Sequence, residues 1–475
     1  ALQGVIAARA IVTPINTRLK PHEVIYILEH SDSKLILIDH EYLHLIEGTG
    51  IPYIISNDTG KTGDPYENFL STGRKFSDEK GWPGLDIETD EEAGAILSYT
   101  SGTTGRPKGV LYTLRGTYLS ALQNALEADI RLDSTYLWVL PMFHAGGWTI
   151  PYAITLVSAS QITIRKVDYS AIWKHFISSG ATHYCAAPTV QVSLLFVGKA
   201  DPAVLTTRKF QIGIANHPSA QRVPRKVTTI TYGPATNRRL DGAAPDASLA
   251  ERSKYMAKQG HIMPLVDNVR VVYPTEEEGY RDDSNELIDV PWDSKTVGEV
   301  VMRGNLVMKE YFKDPEATQK ASRGGFFHSG DLAVVDPDGS ITVLDRSKDI
   351  IISGGEVCLL SLVQPQIHAK DNLQQNASSI AIEQELSSHP AVIEVSVVAR
   401  SHPKWGERPM AFVVLRPRHD WEGREDEFET ELIRYAKTRL PGFACPEWVK
   451  IVKELPKNGT GKILKTELRK AAAEL

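Results

Sequence analysis

The sequence predicts an α/β fold: a large N-terminal domain of mostly parallel sheets flanked by helices, then a small C-terminal α+β domain. Three observations predict it. First, short β-rich runs alternate with amphipathic stretches, as in Lys34–Ile38 after the helical Pro21–His30 and Gln161–Arg165 before Tyr169–Ser179. Strands connected by covering helices give that pattern. Second, the texture changes near Ile341–Leu344, where Asp336-Pro337-Asp338-Gly339 reads as a hairpin turn between two strand-like runs. Third, a charged junction, Asp345-Arg346-Ser347-Lys348-Asp349, leads into a smaller unit. There, β-runs at Val392–Val398 and Met410–Leu415 precede a helical Glu427–Arg439. The boundaries read as 1–345 and 346–475, with no internal repeat.

Composition excludes several classes. The 475 residues are 24% charged and 42% hydrophobic, with a formal net charge of -6. No basic block suggests nucleic acid, and no apolar run is long enough to span a bilayer. Cys185, Cys358 and Cys445 lie too far apart for a disulfide framework or a zinc spacing. A reducing, cytoplasmic compartment is the expectation. The start lacks the basic region of a signal peptide. It opens on Ala1 rather than methionine, so the chain is expected to begin inside a longer protein. Ala473-Glu474-Leu475 is not a Ser-Lys-Leu type of address. Nothing indicates an obligate protein partner.

The strongest chemical signal is Tyr99-Thr100-Ser101-Gly102-Thr103-Thr104-Gly105-Arg106-Pro107-Lys108-Gly109-Val110, which follows a β-like Ala93–Ser98. Its glycines free the backbone to wrap an anion, its hydroxyls donate hydrogen bonds, and Lys108 adds charge. It is not a Walker A loop, because no Gly-Lys-Ser/Thr closes it. The segment resembles the acyl-adenylate-forming (AMP-binding) superfamily, in particular its branch of acyl-CoA synthetases and 4-coumarate–CoA ligases. The likeness runs from about Pro14 to Lys470. It implies that Thr100, Ser101, Gly102, Thr103, Thr104, Gly105 and Lys108 hold the β- and γ-phosphates of ATP.

Further motifs stand in the family's order. Pro141-Met142-Phe143-His144-Ala145-Gly146-Gly147-Trp148 is similar to the segment bordering the carboxylate pocket, which assigns His144 and Gly146 to the acid. Gly325-Phe326-Phe327-His328-Ser329-Gly330-Asp331 resembles the ribose-binding motif. A carboxylate accepts from both ribose hydroxyls, which suits Asp331. Arg346 matches the arginine that also reaches the ribose, and Lys348 the hinge about which the small domain turns. Gly354-Gly355-Glu356 falls on the loop facing coenzyme A. Leu455-Pro456-Lys457-Asn458-Gly459-Thr460-Gly461-Lys462-Ile463 resembles the catalytic-lysine loop, in which Lys462 bridges the attacking carboxylate and the α-phosphate. The resemblance implies ATP, Mg2+ and coenzyme A, with a small carboxylic acid as substrate, and it leaves a peroxisomal compartment open beside the cytoplasmic one.

The sequence departs from the family's pattern at several places. Val192–Gln211 is wedged before Ile212-Gly213, and Val357–Gln375 before Asn376. Both begin with valine and end with glutamine, whose codons can be GT- and -CAG, the boundary letters of an intron. Val192-Ser193 can encode GTAAGT and Val357-Cys358 GTATGT, and Leu205-Thr206 can encode a CTAAC branch sequence. Both read as translated introns; genuine surface loops are the alternative. Between Ile230 and Thr231 the family's adenine loop, helix, strand and magnesium-binding glutamate have no counterpart. Ile230 stands where that glutamate would be, and its side chain offers no oxygen to a hard cation. Pro14-Ile15-Asn16 belongs well inside the family's first domain.

The expected function is ATP-dependent formation of an acyl-AMP and transfer of its acyl group to coenzyme A. The alternatives are an inactive relic of such a ligase and an adenylating enzyme with another acceptor, such as a carrier protein. The correctly spliced transcript is expected to lack codons for 192–211 and 357–375. Sequencing the messenger RNA checks this, and a dominant transcript carrying both stretches overturns it.

Overall fold

The computed structural model describes residues 1–80, 90–100, 106–143, 145–186, 190, 194, 211–213, 227–228, 233–237, 248, 251, 255, 258–274, 286–346, 349–353, 375–416, 421, 423–457 and 463–475. Pro21 opens a helix over Pro21–His30, where its missing N–H costs nothing. The Lys20 amide donates to Glu23 Oε2 at 2.8 Å, completing that first turn. Val24, Ile27 and Leu28 recur at helical spacing and bury. They cover a parallel pair of strands, Ile36–Asp39 and Tyr53–Ser56.

Next comes an antiparallel hairpin, Gly94–Thr100 with Lys108–Thr113. A third strand, Glu310–Tyr311, pairs with Leu111 and Val110. Thr113 caps the following helix, Leu114–Glu127, by accepting the Gly116 amide at 3.0 Å. Gly116 has no substitute here, because an added Cβ would lie 2.6 Å from the Asn305 carbonyl oxygen.

A four-stranded parallel sheet follows, in the order Ser160–Thr163, Thr135–Trp138, His183–Cys185, Gln211–Gly213. The helices Ala145–Leu156 and Tyr169–Ser178 are its crossovers. Asp168 caps the second, accepting the Ala171 amide at 2.9 Å, and Ile172, Trp173 and Phe176 bury against Leu137 and Tyr184. Of the first wedged stretch, Leu194 is described. It is buried in this cluster, and the Trp173 indole donates to its carbonyl at 3.0 Å. The rest of 192–210 lies outside the described residues. Val227–Thr228 pairs antiparallel with Gly233–Pro234, spanning the point where the family segment has no counterpart.

A short antiparallel pair, Thr236–Asn237 with His261–Ile262, precedes a four-stranded antiparallel sheet in the order Asn268–Val272, Gly298–Arg303, Phe327–Val335, Ile341–Arg346. The N-terminal sheets are therefore of both kinds. One apolar cluster joins this sheet to the 94–113 hairpin: Ile96, Val110 and Tyr112 pack with Val269, Val300, Met302, Phe327 and Ile341. The two hairpins are thus fixed relative to each other.

The C-terminal unit is a five-stranded sheet of Ile351–Ser353, Gln375–Ala377, Val392–His402, Gly406–Leu415 and Trp448–Ile451. Side chains alternate across it, as strand geometry requires. Val397, Ala411 and Val413 face the helices Ser379–Ser387 and Glu425–Lys437, while Val398, Met410 and Phe412 face Lys465–Glu474. Ser353 is the register partner of Gln375, so the chain leaves for the second wedged stretch and returns on adjacent strands.

The Asp336-Pro337-Asp338-Gly339 turn forms as expected, with the Gly339 amide donating to the Asp336 carbonyl at 2.8 Å. Gly339 has φ +78°, and an added Cβ would press on the Trp292 ring at 3.3 Å. The buried Asp336 carboxylate accepts from Lys258 at 2.8 Å, Ser294 at 2.7 Å and Thr342 at 2.9 Å. Burial alone would raise this carboxyl, but those donors hold it down to about 2. A depressed folded-state value adds stability above the unfolded value near 4 and loses it as pH falls toward 2. Asp336→Asn is expected to cost about 2 kcal/mol at pH 7. The difference from the parent should shrink as pH falls from 4 toward 2. Urea unfolding across that range checks it; a pH-independent difference contradicts the assignment.

Candidate active site

Thr100 and Lys108 are register partners at the open end of the 94–113 hairpin, so the chain between them leaves and returns at one rung. The Pro21–His30 helix secures both feet. The Tyr99 hydroxyl and His30 Nδ1 lie 2.7 Å apart, and the Tyr26 hydroxyl donates to the Pro107 carbonyl at 3.3 Å. Burial pushes the Tyr99 phenol up, while burial and then the Lys313 charge push the His30 imidazole down. Both groups are thus neutral near pH 7 and leave the charge in this corner to Arg106, Lys108, Lys313, Asp32 and Asp314.

The Lys108 ammonium pairs with Asp314 Oδ2 at 3.0 Å and lies over the Tyr311 ring at 5.1 Å. Asp314 also caps the helix Pro315–Ala321, accepting the Ala317 amide at 3.0 Å. The Ala317 amide and then Lys108 hold its carboxyl below the usual range. The pair is partly exposed, so its worth to stability is small. Its effect is to set where the ammonium sits.

From Asp314 the chain runs through that helix and a 3-10 turn at Arg323–Gly325 into Phe327–Val335, the strand that carries Asp331. Asp331 is 3% exposed. Its register partner on the next strand is Arg346, with Nε 3.4 Å from Asp331 Oδ1. The Arg346 side chain is half exposed. The guanidinium therefore lies over a buried carboxylate, with its own outer face in water.

Asp331 stands in an irregular rung. Glu299 pairs with Leu332 and Val301 with His328, so Val300 alone faces Ser329, Gly330 and Asp331. Gly330 has φ +67°, and this bulge turns the Asp331 side chain. Three side-chain bonds stitch it: Ser329 Oγ to the Val300 carbonyl at 2.6 Å, the Gly330 amide to Glu299 Oε1 at 2.9 Å, and the Asp331 amide to Ser329 Oγ at 3.1 Å. Glu299 Oε2 faces His328 Nδ1 at 2.8 Å.

Of the acid-pocket segment, Gly147 sits where an added Cβ would lie 2.1 Å from the Pro141 carbonyl oxygen, so the turn before the Ala145–Leu156 helix needs glycine. Gly146 lies in the first turn of that helix. Ser101, Gly102, Thr103, Thr104, Gly105, His144, Lys348, Gly354, Gly355, Glu356 and Lys462 lie outside the described residues. The flanks of the Lys462 loop are described. Lys457 bridges Ile463, the Leu464 amide donates to the Pro456 carbonyl at 2.8 Å, and Lys457 Nζ holds Glu394 at 2.7 Å.

The structure thus places Thr100 and Lys108 together on one hairpin and Asp331 and Arg346 together on the other. Sequence reading missed Asp314, Glu299 and Asp345. Asp314-Pro315 carries a helix-start signal that could have flagged the first. Asp345 is 1% exposed and spans the junction. Its Oδ2 accepts the Ser379 hydroxyl at 2.7 Å, the Ser378 hydroxyl at 3.3 Å and the Ile380 amide at 3.3 Å. Lys465 reaches the same Ser379 hydroxyl at 2.6 Å.

Residues 1–312 match the AMP-binding enzyme family, and residues 381–462 match the AMP-binding enzyme C-terminal domain. An acetate/butyrate–CoA ligase of Arabidopsis thaliana is 34% identical over 99% of this chain and 83% of its own length. A 4-hydroxybutyrate–CoA ligase of Metallosphaera sedula is 35% identical over 99% of this chain and 82% of its own. Among solved structures, ATP-bound MatB from Rhodopseudomonas palustris superposes with a TM-score of 0.78 at 22% identity, covering 98% of this chain and 84% of that one. That likeness shows the fold. With the family match across most of the N-terminal unit and relatives of this identity over nearly the whole length, the chain belongs to the AMP-binding enzyme family, among its ATP-dependent acyl-CoA ligases.

Proposed function

We propose that the chain activates a short-chain carboxylic acid with ATP and passes the acyl group to coenzyme A. The observation that supports this most directly is the run from Tyr311, on the partner strand of the Lys108 hairpin, through Asp314 to Asp331. It ties a phosphate-binding position to a ribose-binding one. In the first half-reaction a carboxylate oxygen attacks the α-phosphorus, a P–O bond to the acid forms, and the bond to the bridging oxygen breaks to release pyrophosphate. Thr100, the loop through Gly105 and Lys108 hold the departing phosphates. Asp331 accepts from the ribose hydroxyls, and Arg346 beside it reaches the same ribose. Lys462 offsets the charge developing between carboxylate and α-phosphate. His144 and Gly146 border the acid. In the second half-reaction the thiol sulfur attacks the acyl carbon and AMP leaves. Lys348 is then the pivot, and Gly354, Gly355 and Glu356 face coenzyme A.

Magnesium reaches such a site as the counter-ion of ATP. Ile230 has no oxygen to give it. Among the described residues no group of three or more His, Cys, Asp or Glu is placed to hold a metal ion. No step is therefore assigned to a protein-held metal. The names of the acetate/butyrate and 4-hydroxybutyrate ligases support a short-chain acid.

A second reading, a non-catalytic relic, is favoured by one observation. The last described strand of the parallel sheet is Gln211–Gly213, and Val227–Thr228 pairs antiparallel with Gly233–Pro234. Residues 229–232 between those two strands are too few for an adenine loop and its following helix and strand. An acid-dependent ATP–pyrophosphate exchange assay separates the readings. The chain as given is expected to exchange far more slowly than a version with 192–211 and 357–375 removed and the 230/231 segment restored. Equal rates would remove the relic reading. If exchange proceeds but no acyl-CoA forms, the acceptor is not coenzyme A.

In the restored version Lys462→Ala is expected to lower acyl-adenylate formation at least about 100-fold, from the loss of charge stabilisation in the transition state. Thioester formation from supplied acyl-AMP should be spared. Equal loss in both half-reactions contradicts the role given to this lysine.

A further inference from the structure

Resting on the ribose reading of Asp331, we infer that Glu299 is the positioning residue for that carboxylate and that His328 holds Glu299 in place. The bulge carries Ser329, Gly330 and Asp331 out of register with Val300. A regular ladder would pair their amides with the neighbouring backbone; here side chains take that part. The Gly330 amide, immediately before Asp331, donates to Glu299 Oε1 at 2.9 Å. Without that acceptor a part-buried N–H loses its partner, and the left-handed Gly330 turn loses the contact that selects it.

Glu299 itself is a carboxylate in a mostly buried rung. Its side chain is 14% exposed, and that of His328 is 6% exposed. The second oxygen, Oε2, lies 2.8 Å from His328 Nδ1. The far ring nitrogen faces the Arg323 carbonyl at 3.3 Å. The ring thus stands between two acceptors and fixes the rotamer of the glutamate. Glu299 and His328 both flank the bulge, and neither is given a contact with the nucleotide. They act through Asp331: Glu299 sets the Gly330 turn, and the turn aims the next side chain.

The test is a double-mutant cycle on AMP affinity, measured by titration calorimetry, with Asp331→Ala as the second change. Glu299→Leu is expected to weaken AMP binding about 10-fold, in line with the loss of one charge-assisted hydrogen bond. Combined with Asp331→Ala it should weaken binding no further than Asp331→Ala does alone. It should also abolish the preference for AMP over 2′,3′-dideoxy-AMP, a readout that general destabilisation leaves intact. Glu299→Gln keeps an acceptor for the Gly330 amide and should stay within about 3-fold of the parent. If Glu299→Leu does not fold, His328→Phe replaces it in the cycle with the same expected loss of ribose preference. Additive effects, or a ribose preference that survives removal of Glu299 or His328, overturn the inference. If Asp331→Ala leaves AMP affinity unchanged, or the parent does not bind AMP, the ribose reading itself fails and the inference falls with it.

Discussion

The pairing of Glu310–Tyr311 with Val110 and Leu111 is the constraint on which the site depends. It is short, and it joins residues about two hundred positions apart. On one side of it Lys108 lies at the last described rung of its hairpin, opposite Thr100. On the other, the chain crosses the Pro315–Ala321 helix and a 3-10 turn at Arg323–Gly325 before it becomes the strand of Asp331. Asp314 serves both sides, as partner of the Lys108 ammonium and as cap of that helix. The separation of the two hairpins is therefore set by backbone pairing, one helix and that turn. Their relative orientation is set by the apolar cluster of Ile96, Tyr112, Val300 and Phe327 beneath them. Neither depends on the partly exposed ion pair, which is worth little in water.

Polar groups are confined to where the ladder fails. Within the regular parts of the 268–346 sheet, alternation puts Val269, Val271, Val300 and Met302 into the core. At the bulge the ladder cannot satisfy its own amides, and Ser329 and Glu299 supply the missing acceptors. A buried polar cluster of this kind is expensive unless each member is satisfied. Its presence beside Asp331 accords with a place where shape is held for binding.

Local features were the legible ones. The Pro21–His30 helix announces itself through Pro21 and the spacing of Val24, Ile27 and Leu28. The Asp336–Gly339 turn is written in four consecutive residues. Thr100, Lys108, Asp331 and Arg346 were picked out by short, ordered motifs, and the structure makes register partners of Thr100 and Lys108 and of Asp331 and Arg346. What resisted reading was pairing across long sequence separations. Nothing near Tyr311 says that it meets Val110. Glu299, in Gly298-Glu299-Val300, reads as an outward polar position in an alternating strand. Only the irregular register opposite it turns that carboxylate onto the Gly330 amide. In the antiparallel 268–346 sheet the Asp336–Gly339 hairpin was legible, while the register of the other pairings is set by bulges that leave no periodic trace.

The Asp345 carboxylate has a consequence for movement at the junction. It precedes residues 347–348 in the chain, while the Ser378, Ser379 and Ile380 groups that it binds come after them. On the hinge reading of Lys348, turning there would break the Asp345 bonds to Ser378, Ser379 and Ile380 at the start of the Ser379–Ser387 helix. Such a joint would have a detent. Leaving it would release those donors together, while the Ser379 hydroxyl oxygen goes on accepting from the Lys465 ammonium. The exposed end of that helix would keep Ser378, whose hydroxyl already accepts the Ala381 amide at 3.2 Å, as its cap. The geometry would then favour discrete positions over a continuous swing.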